Sequence, residues 1–257
     1  MQYSTKILIG VFFFFSCTKR ENTSQLIVKL TDSPGDYEKV NIDLQAVEVH
    51  SSSNEIGGWV ALNTNSGIYD LLTLTNGVES VIANDAYPSG RISQIRLVLG
   101  NNNSVVVSGV EESLKVPSSA ESGLKVLVNT DLVEGITYSI LLDFDAATSV
   151  VKNGASGKYS LKPVIKAITK AQDGAIRGMV SPGELSVAVY ALSGTDTMST
   201  SYAIAGESNF FLGGLRAGTY TVSFDPGKSS SYMETSIENI DVTLGKVTMV
   251  KSVDLIQ

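Results

Sequence analysis

Val40, Ile42, Leu44 and Ala46 alternate with Asn41, Asp43 and Gln45, and a period of two is the mark of a strand with one buried face. The apolar set then moves one residue out of step, at Val47 and Val49, which predicts a β-bulge near Ala46–Val47. The same logic recurs along the chain. Before residue 170, strands are expected at Leu26–Leu30, Trp59–Leu62, Ile68–Leu74, Ile92–Leu99, Ser104–Val107, Leu124–Val128, Tyr138–Phe144 and Tyr159–Ile168. Gly57-Gly58, Asn76-Gly77, Pro88-Ser89-Gly90, Gly100-Asn101-Asn102-Asn103 and Asn153-Gly154 separate them with turn chemistry. A single short helix is expected, around Val78–Ala86. Strands this closely spaced predict an all-β fold of antiparallel β-sandwiches.

The polar stretch from Thr169 to Gly174 is the expected boundary between two domains. Beyond it, strands are expected at Ala175–Val180, Leu185–Leu192, Tyr202–Gly206, Asn209–Leu212, Thr219–Phe224, Ile237–Leu244 and Val247–Leu255. At 257 residues with 43% hydrophobic content, the chain can fill two such cores. It carries one Cys and one His, which argues against a disulfide framework, a His/Cys zinc site, an iron–sulfur cluster and most Ser-His or Cys-His catalysis. A net charge of −7 argues against nucleic acid as a partner. No cofactor is expected.

The N-terminus reads as an address. Lys6 is the only charge in residues 1–16, and the apolar run Ile7–Phe15 is broken only by Gly10. Such a run is too short to cross a bilayer, which takes ~20 residues, but it suits the apolar core of a secretory signal. Ser16-Cys17 follows at once, then the polar Thr18-Lys19-Arg20-Glu21-Asn22. A signal core ending in a small residue and Cys resembles a bacterial lipoprotein signal. The resemblance implies that Cys17 becomes the acylated first residue of the mature protein and its contact with the membrane. Phe14 and Phe15 stand where that pattern usually has Leu and a small residue. The expected layout is a signal peptide over 1–16, a tether over 17–25, a β-sandwich over 26–169 and a second sandwich over 173–257. The expected location is the cell envelope, as an outer-membrane lipoprotein. Lys19 and Arg20 ahead of a lone Glu21 leave the choice of periplasmic or surface face open.

Several segments of the first half are distinctive: Leu30-Thr31-Asp32-Ser33-Pro34-Gly35-Asp36-Tyr37, Gln94–Leu99, Leu142-Asp143-Phe144-Asp145, and Tyr159-Ser160-Leu161-Lys162-Pro163-Val164-Ile165. Together, over about residues 25–169, they resemble a domain family of unknown function found in Bacteroidetes lipoproteins. That resemblance implies a β-sandwich and no assigned activity. In the second half, Gly174–Val180, Asn209–Leu215 and Arg216–Val222 are similar to carboxypeptidase-regulatory-like, transthyretin-like modules. A related adhesin module cross-links itself through a Lys–Asn bond. The corresponding position here holds Arg177 or Met179, so no such bond is expected.

The candidate chemistry is sparse. Asp32 and Asp36 are weak candidates for a Ca²⁺ loop, but Ca²⁺ takes six to eight oxygens. The preferred reading is a turn in which Asp32 accepts backbone N–H groups and Gly35 takes a positive φ. Asp143 and Asp145, two apart at a strand end, would serve a hydrolase only across a cleft from a facing acid; exposed strand-end acids are the preferred reading. His50 is read as a solvated or capping residue. Trp59 is read as core rather than as a sugar-stacking platform, and Lys162 as the partner of a surface carboxylate. Thr197, in Asp196-Thr197-Met198, resembles a Bacteroidetes O-glycosylation acceptor in a polar loop. No catalytic residue is expected. The functional expectation is a non-catalytic interaction or structural protein that engages polysaccharide or another envelope protein. The alternatives are a glycan-binding accessory lipoprotein and a hydrolase using Asp143 and Asp145.

Overall fold

The computed structural model describes residues 22–33, 35–51, 58–116, 123–154 and 157–257. Cys17 and the apolar run before it lie outside the described residues. The first half holds Thr23–Asp32 (β1), Lys39–Ser51 (β2), Gly58–Ala61 (β3), Gly67–Asp70 (β4), Ser80–Pro88 (β5), Gly90–Leu99 (β6) and Ser104–Val107 (β7). It continues with Val110–Lys115 (β8), Leu124–Leu132 (β9), Thr137–Phe144 (β10), the helical turn Ala146–Ser149 (α1), Val150–Lys152 (β11), Tyr159–Leu161 (β12) and Ile165–Ala171 (β13). The second half holds Gly174–Ser181 (β14), Val187–Ser193 (β15), Asp196–Ala203 (β16), Asn209–Leu215 (β17), Gly218–Asp225 (β18), Thr235–Val242 (β19), Val247–Met249 (β20) and Val253–Asp254 (β21). The all-β expectation holds.

One sheet runs β13-β10-β1-β5, and it packs on a second of order β11-β12-β8-β7-β2-β6-β9, to which β3 and β4 are joined through β2. Leu26, Val28 and Leu30 of β1 and Ile140, Leu142 and Phe144 of β10 face Val40, Ile42, Leu44, Ile95 and Leu97 in one core. Antiparallel pairing dominates, but β1 runs parallel to β10, β8 to β12, and β14 to both β20 and β21. In the second half, β17-β14-β20 packs on β16-β15-β18-β19 around Ile176, Val189, Phe210, Val222 and Phe224.

The bulge in β2 falls where the phase slip placed it. The register against β6 shifts between Leu44 and Ala46, so Gln45 is exposed while Leu44 and Val47 are both buried. At this point β2 exchanges β7 and β4 for β6 and β3 as its neighbours.

Two expectations need correction. Val78–Ala86 is not helical, because β5 pairs antiparallel with β1 across it. The register shift opposite Val28/Lys29 passes over Ile82, so Ile82 and Ala83 are buried in succession, which blurs the period-two pattern. The strand expected over Ile68–Leu74 ends at Asp70, whose carboxylate accepts the Leu72 N–H and turns Leu71–Leu74 into a 3-10 turn. Within the polar stretch Thr169–Gly174, β13 runs to Ala171 and β14 starts at Gly174, which leaves Gln172 and Asp173 as the connection.

That two-residue connection is tied down. Gln172 N–H donates to Thr137 O, the Asp173 carboxylate accepts the Thr137 N–H, and Gly245 N–H donates to Asp173 O. Arg177 pairs with Glu134 at 3.0 Å and lies over the Phe211 ring. Phe211 fills the space beside Gly135 and packs on the first core.

Candidate functional site

Three of the four motifs quoted from distant parts of the sequence meet around α1. Ser33 N–H donates to Phe144 O and Ser33 Oγ to Asp143 Oδ1. Asp32 Oδ1 accepts the Ala146 N–H at 2.9 Å. Asp145 caps α1, taking both the N–H and the hydroxyl of Thr148. From the third motif, Val164 O accepts the Asp145 N–H, and Val164 N–H donates to Ser149 Oγ. Tyr37 donates its hydroxyl to Val150 O. The motifs thus build a hydrogen-bonded joint that closes one end of the first sandwich.

Several acids of the Ca²⁺ and hydrolase readings take part in this joint. Asp32 is buried and Asp36 exposed. Among the described residues, no three His, Cys, Asp or Glu are grouped to hold a metal. Asp32 Oδ2 is buried with no partner among the described residues. Desolvation raises the Asp32 carboxyl to about 6, with smaller contributions from Asp143 and Asp145 and partial relief from the N–H groups of Ala146 and Ser33. Gly35 does not take the expected positive φ; a Cβ there would lie in ordinary contact with Ala147, 3.4 Å from its Cβ. Asp143 and Asp145 are bound to Ser33 and Thr148 respectively, and neither lines any recess described below.

Trp59 corrects another expectation. It is half-buried on the outer face of the second sheet rather than in the core. The Arg96 guanidinium lies 4.3 Å from its ring centre and Lys125 6.0 Å, and the His50 ring meets it edge-on at 5.2 Å. Arg96 is held in turn by Glu48, and His50 Nδ1 lies 3.0 Å from Ser93 Oγ. His50 is therefore packed rather than simply solvated. Lys162 is exposed, with no carboxylate within ion-pair reach among the described residues. Thr197 sits at the start of β16 beside a hairpin turn rather than in a loop, and it is exposed. Arg177 is occupied by Glu134, and Met179 is largely exposed.

A recess lies elsewhere, at the Gly100–Asn103 turn, which the sequence marked only as a turn. Asp43 is buried and organises it. Its Oδ2 accepts both the backbone and side-chain N–H of Asn102, and Gly100 N–H donates to its carbonyl at 2.7 Å. Asn103 accepts the Asp43 N–H and donates to Gly100 O. A Cβ on Gly100 would fall 2.3 Å from Asp43 Oδ2, so only glycine fits. Asn101 tops this clamped turn, exposed. On one side opens a recess of about 650 Å³, walled by Glu112, Lys115, Asn153 and Lys158 with Tyr159 at its base. On the other lies a shallower one of about 390 Å³, between Ile68, Asn41 and Glu111. Both share Asn101, Asn103 and Ser113.

A family model described as a domain of unknown function, DUF4382, matches residues 23–163. The chain belongs to the DUF4382 family. The joint around α1 and the clamped turn both lie in this DUF4382 region. No curated protein matches the chain. Among solved structures, the Bacillus anthracis TIE protein is similar at 11% identity and a TM-score of 0.23, over 91% of this chain and 35% of that one. A fimbrial protein from Bacteroides ovatus is similar at 9% identity and a TM-score of 0.24, over 91% and 50%. The shaft pilin SpaA of Lactobacillus rhamnosus GG is similar at 8% identity and a TM-score of 0.23, over 91% and 97%. This chain thus spans about a third of the first and half of the second. TM-scores this low carry no weight for topology or role.

Proposed function

We propose that this DUF4382 protein is a lipid-anchored envelope protein with a non-catalytic interaction role. The observation that carries it is Cys17, the only cysteine, placed directly after the apolar run Ile7–Phe15. β1 begins at Thr23, six residues later, so the first sandwich is held within ~20 Å of the anchor. Two or three acyl chains, at ~0.8 kcal/mol per buried methylene, make such attachment effectively permanent. In this reading residues 26–169 and 173–257 are tandem sandwiches, the second a carboxypeptidase-regulatory-like module, and exposed Thr197 is an O-glycosylation acceptor. A non-catalytic role is supported by the use of Asp32, Asp143 and Asp145 in the joint around α1.

Cys17→Ala is expected to move the protein from the membrane to the soluble fraction, and mass spectrometry of the mature wild-type N-terminus is expected to find acylated Cys17. A Cys17→Ala protein that stays with the membrane sinks the anchor assignment. A second reading, glycan binding, is favoured by the polar recess at Asn101, where carboxamides, a carboxylate and ammonium groups line one cavity.

A further inference from the structure

We infer that the surface around Thr23, Tyr202 and Ile204 docks on the bilayer that holds the acylated Cys17, by apolar contact with zwitterionic lipid. The inference rests on the lipid-anchor reading and adds which face of the protein the anchor turns to the membrane. The described chain begins at Asn22, and this end is fixed in place. Ser89 N–H donates to Asn22 O, Gly135 N–H to Thr23 O and Ser24 Oγ–H to Val133 O, each at 2.8 Å. Asn22 is five residues from Cys17, a reach of at most ~18 Å. Whatever borders Asn22 and Thr23 is therefore held close to the lipid.

Thr23 lines a recess of about 460 Å³ between the β9–β10 turn and the β16–β17 edge. Tyr202 and Ile204 line it too, at 61% and 56% exposure. Val133, bonded to Ser24, is exposed. So is Met179, which pairs across β14–β17 with Asn209 of the recess wall. Apolar side chains thus stand unburied around the point where the tether joins the fold. The wall charges do not select an anionic surface, since Arg177 pairs with Glu134 at 3.0 Å and the other charged wall residue is Glu207. With a net charge of −7 on the chain, contact with lipid has to come from apolar burial rather than from attraction to anionic headgroups. Tyr202 suits that boundary, with an apolar ring to bury and a hydroxyl to leave among the headgroups. Few side chains suffice, because a short tether supplies an effective concentration on the order of 1 mM, and a face of millimolar affinity is then engaged about half the time.

The test uses the full acylated chain in phosphatidylcholine vesicles. Cys17 is the only cysteine and is acylated in this reading, so a cysteine introduced elsewhere takes a fluorophore alone. Ile204→Cys and Met179→Cys are labelled separately, with Asn101→Cys as the control. The control lies far from the tether, because β6 starts beside it, at Gly90 paired with Leu132, and its ten residues carry the chain ~33 Å before Asn101. Quenching by nitroxide-bearing lipid is expected to be about threefold stronger or more for the Ile204→Cys and Met179→Cys labels than for the control, and to be unchanged in high salt. Tyr202→Ser with Ile204→Ser is expected to halve, roughly, the quenching of the Met179→Cys label at an unchanged melting temperature. Equal quenching at all three positions, a Met179→Cys label indifferent to the double serine variant, or quenching that requires anionic lipid each overturns the inference and leaves the anchor standing. Labels that quench one another while lipid does not quench them mark a second copy of the chain as the occupant, and overturn it too. Protein that fails to float with the vesicles overturns the anchor reading and this inference with it.

Discussion

Asp32→Asn offers a clean test of the joint around α1, because the energetics of Asp32 depend on pH in a definite direction. Burial raises its carboxyl in the folded protein from 3.8 to about 6. Between those values the folded state binds more protons than the unfolded state, so stability falls as pH rises, at ~1.4 kcal/mol per unit. The penalty is absent below about pH 4 and complete above about pH 6, where it reaches on the order of 3 kcal/mol. Asn keeps the oxygen that accepts the Ala146 N–H, but it places an amide NH₂ where Oδ2 has no partner. That costs about 1–3 kcal/mol at every pH. Asp32→Asn is therefore expected to be less stable than wild type at pH 4, and to equal or exceed it at pH 7. Urea unfolding, followed by far-UV circular dichroism and by the single Trp, gives the difference between the two proteins at each pH. Carboxylates that do not interact with Asp32 cancel in that difference. A gap that stays constant from pH 4 to pH 7 refutes the claim that a buried, half-satisfied carboxyl lies at this joint.

Two further substitutions probe close contacts. Gly135→Ala places a Cβ 2.2 Å from the Phe211 ring at a residue with φ +73°, and is expected to cost about 2–3 kcal/mol in urea unfolding, of which the left-handed backbone accounts for ~1–2 kcal/mol. In a Phe211→Ala background only the backbone part is expected to remain, so additive costs would contradict the packing described. Gly100→Ala pushes on the Asp43 carboxylate and is expected to cost about 2–4 kcal/mol by leaving a buried acid short of donors. A loss below ~0.5 kcal/mol would show that the turn is not clamped.

Hydrophobic periodicity is a local property, and it located most of the strands. It even placed the bulge in β2, because Leu44 and Val47 must both point inward whatever lies opposite. It misread Val78–Ala86, where a second bulge at Ile82 depends on the partner strand β1 and leaves no clean period. It misread Trp59 because alternation tells which residues share a face, not whether that face is covered; here Arg96, Lys125 and His50 pack against the ring on the outer sheet face. The motifs Leu30–Tyr37, Leu142–Asp145 and Tyr159–Ile165 were legible as a family signature, but not as one hydrogen-bonded joint.

The sequence alone determined the all-β class, the family and the placement of Cys17 after an apolar run, since each rests on residues close together along the chain. Only the tertiary structure decided the parallel pairing of β1 with β10, the burial of Asp32, and the recess where Asn101, Lys115 and Lys158 meet. Strand direction and side-chain convergence follow from how distant segments close on one core, and no short-range pattern encodes that closure.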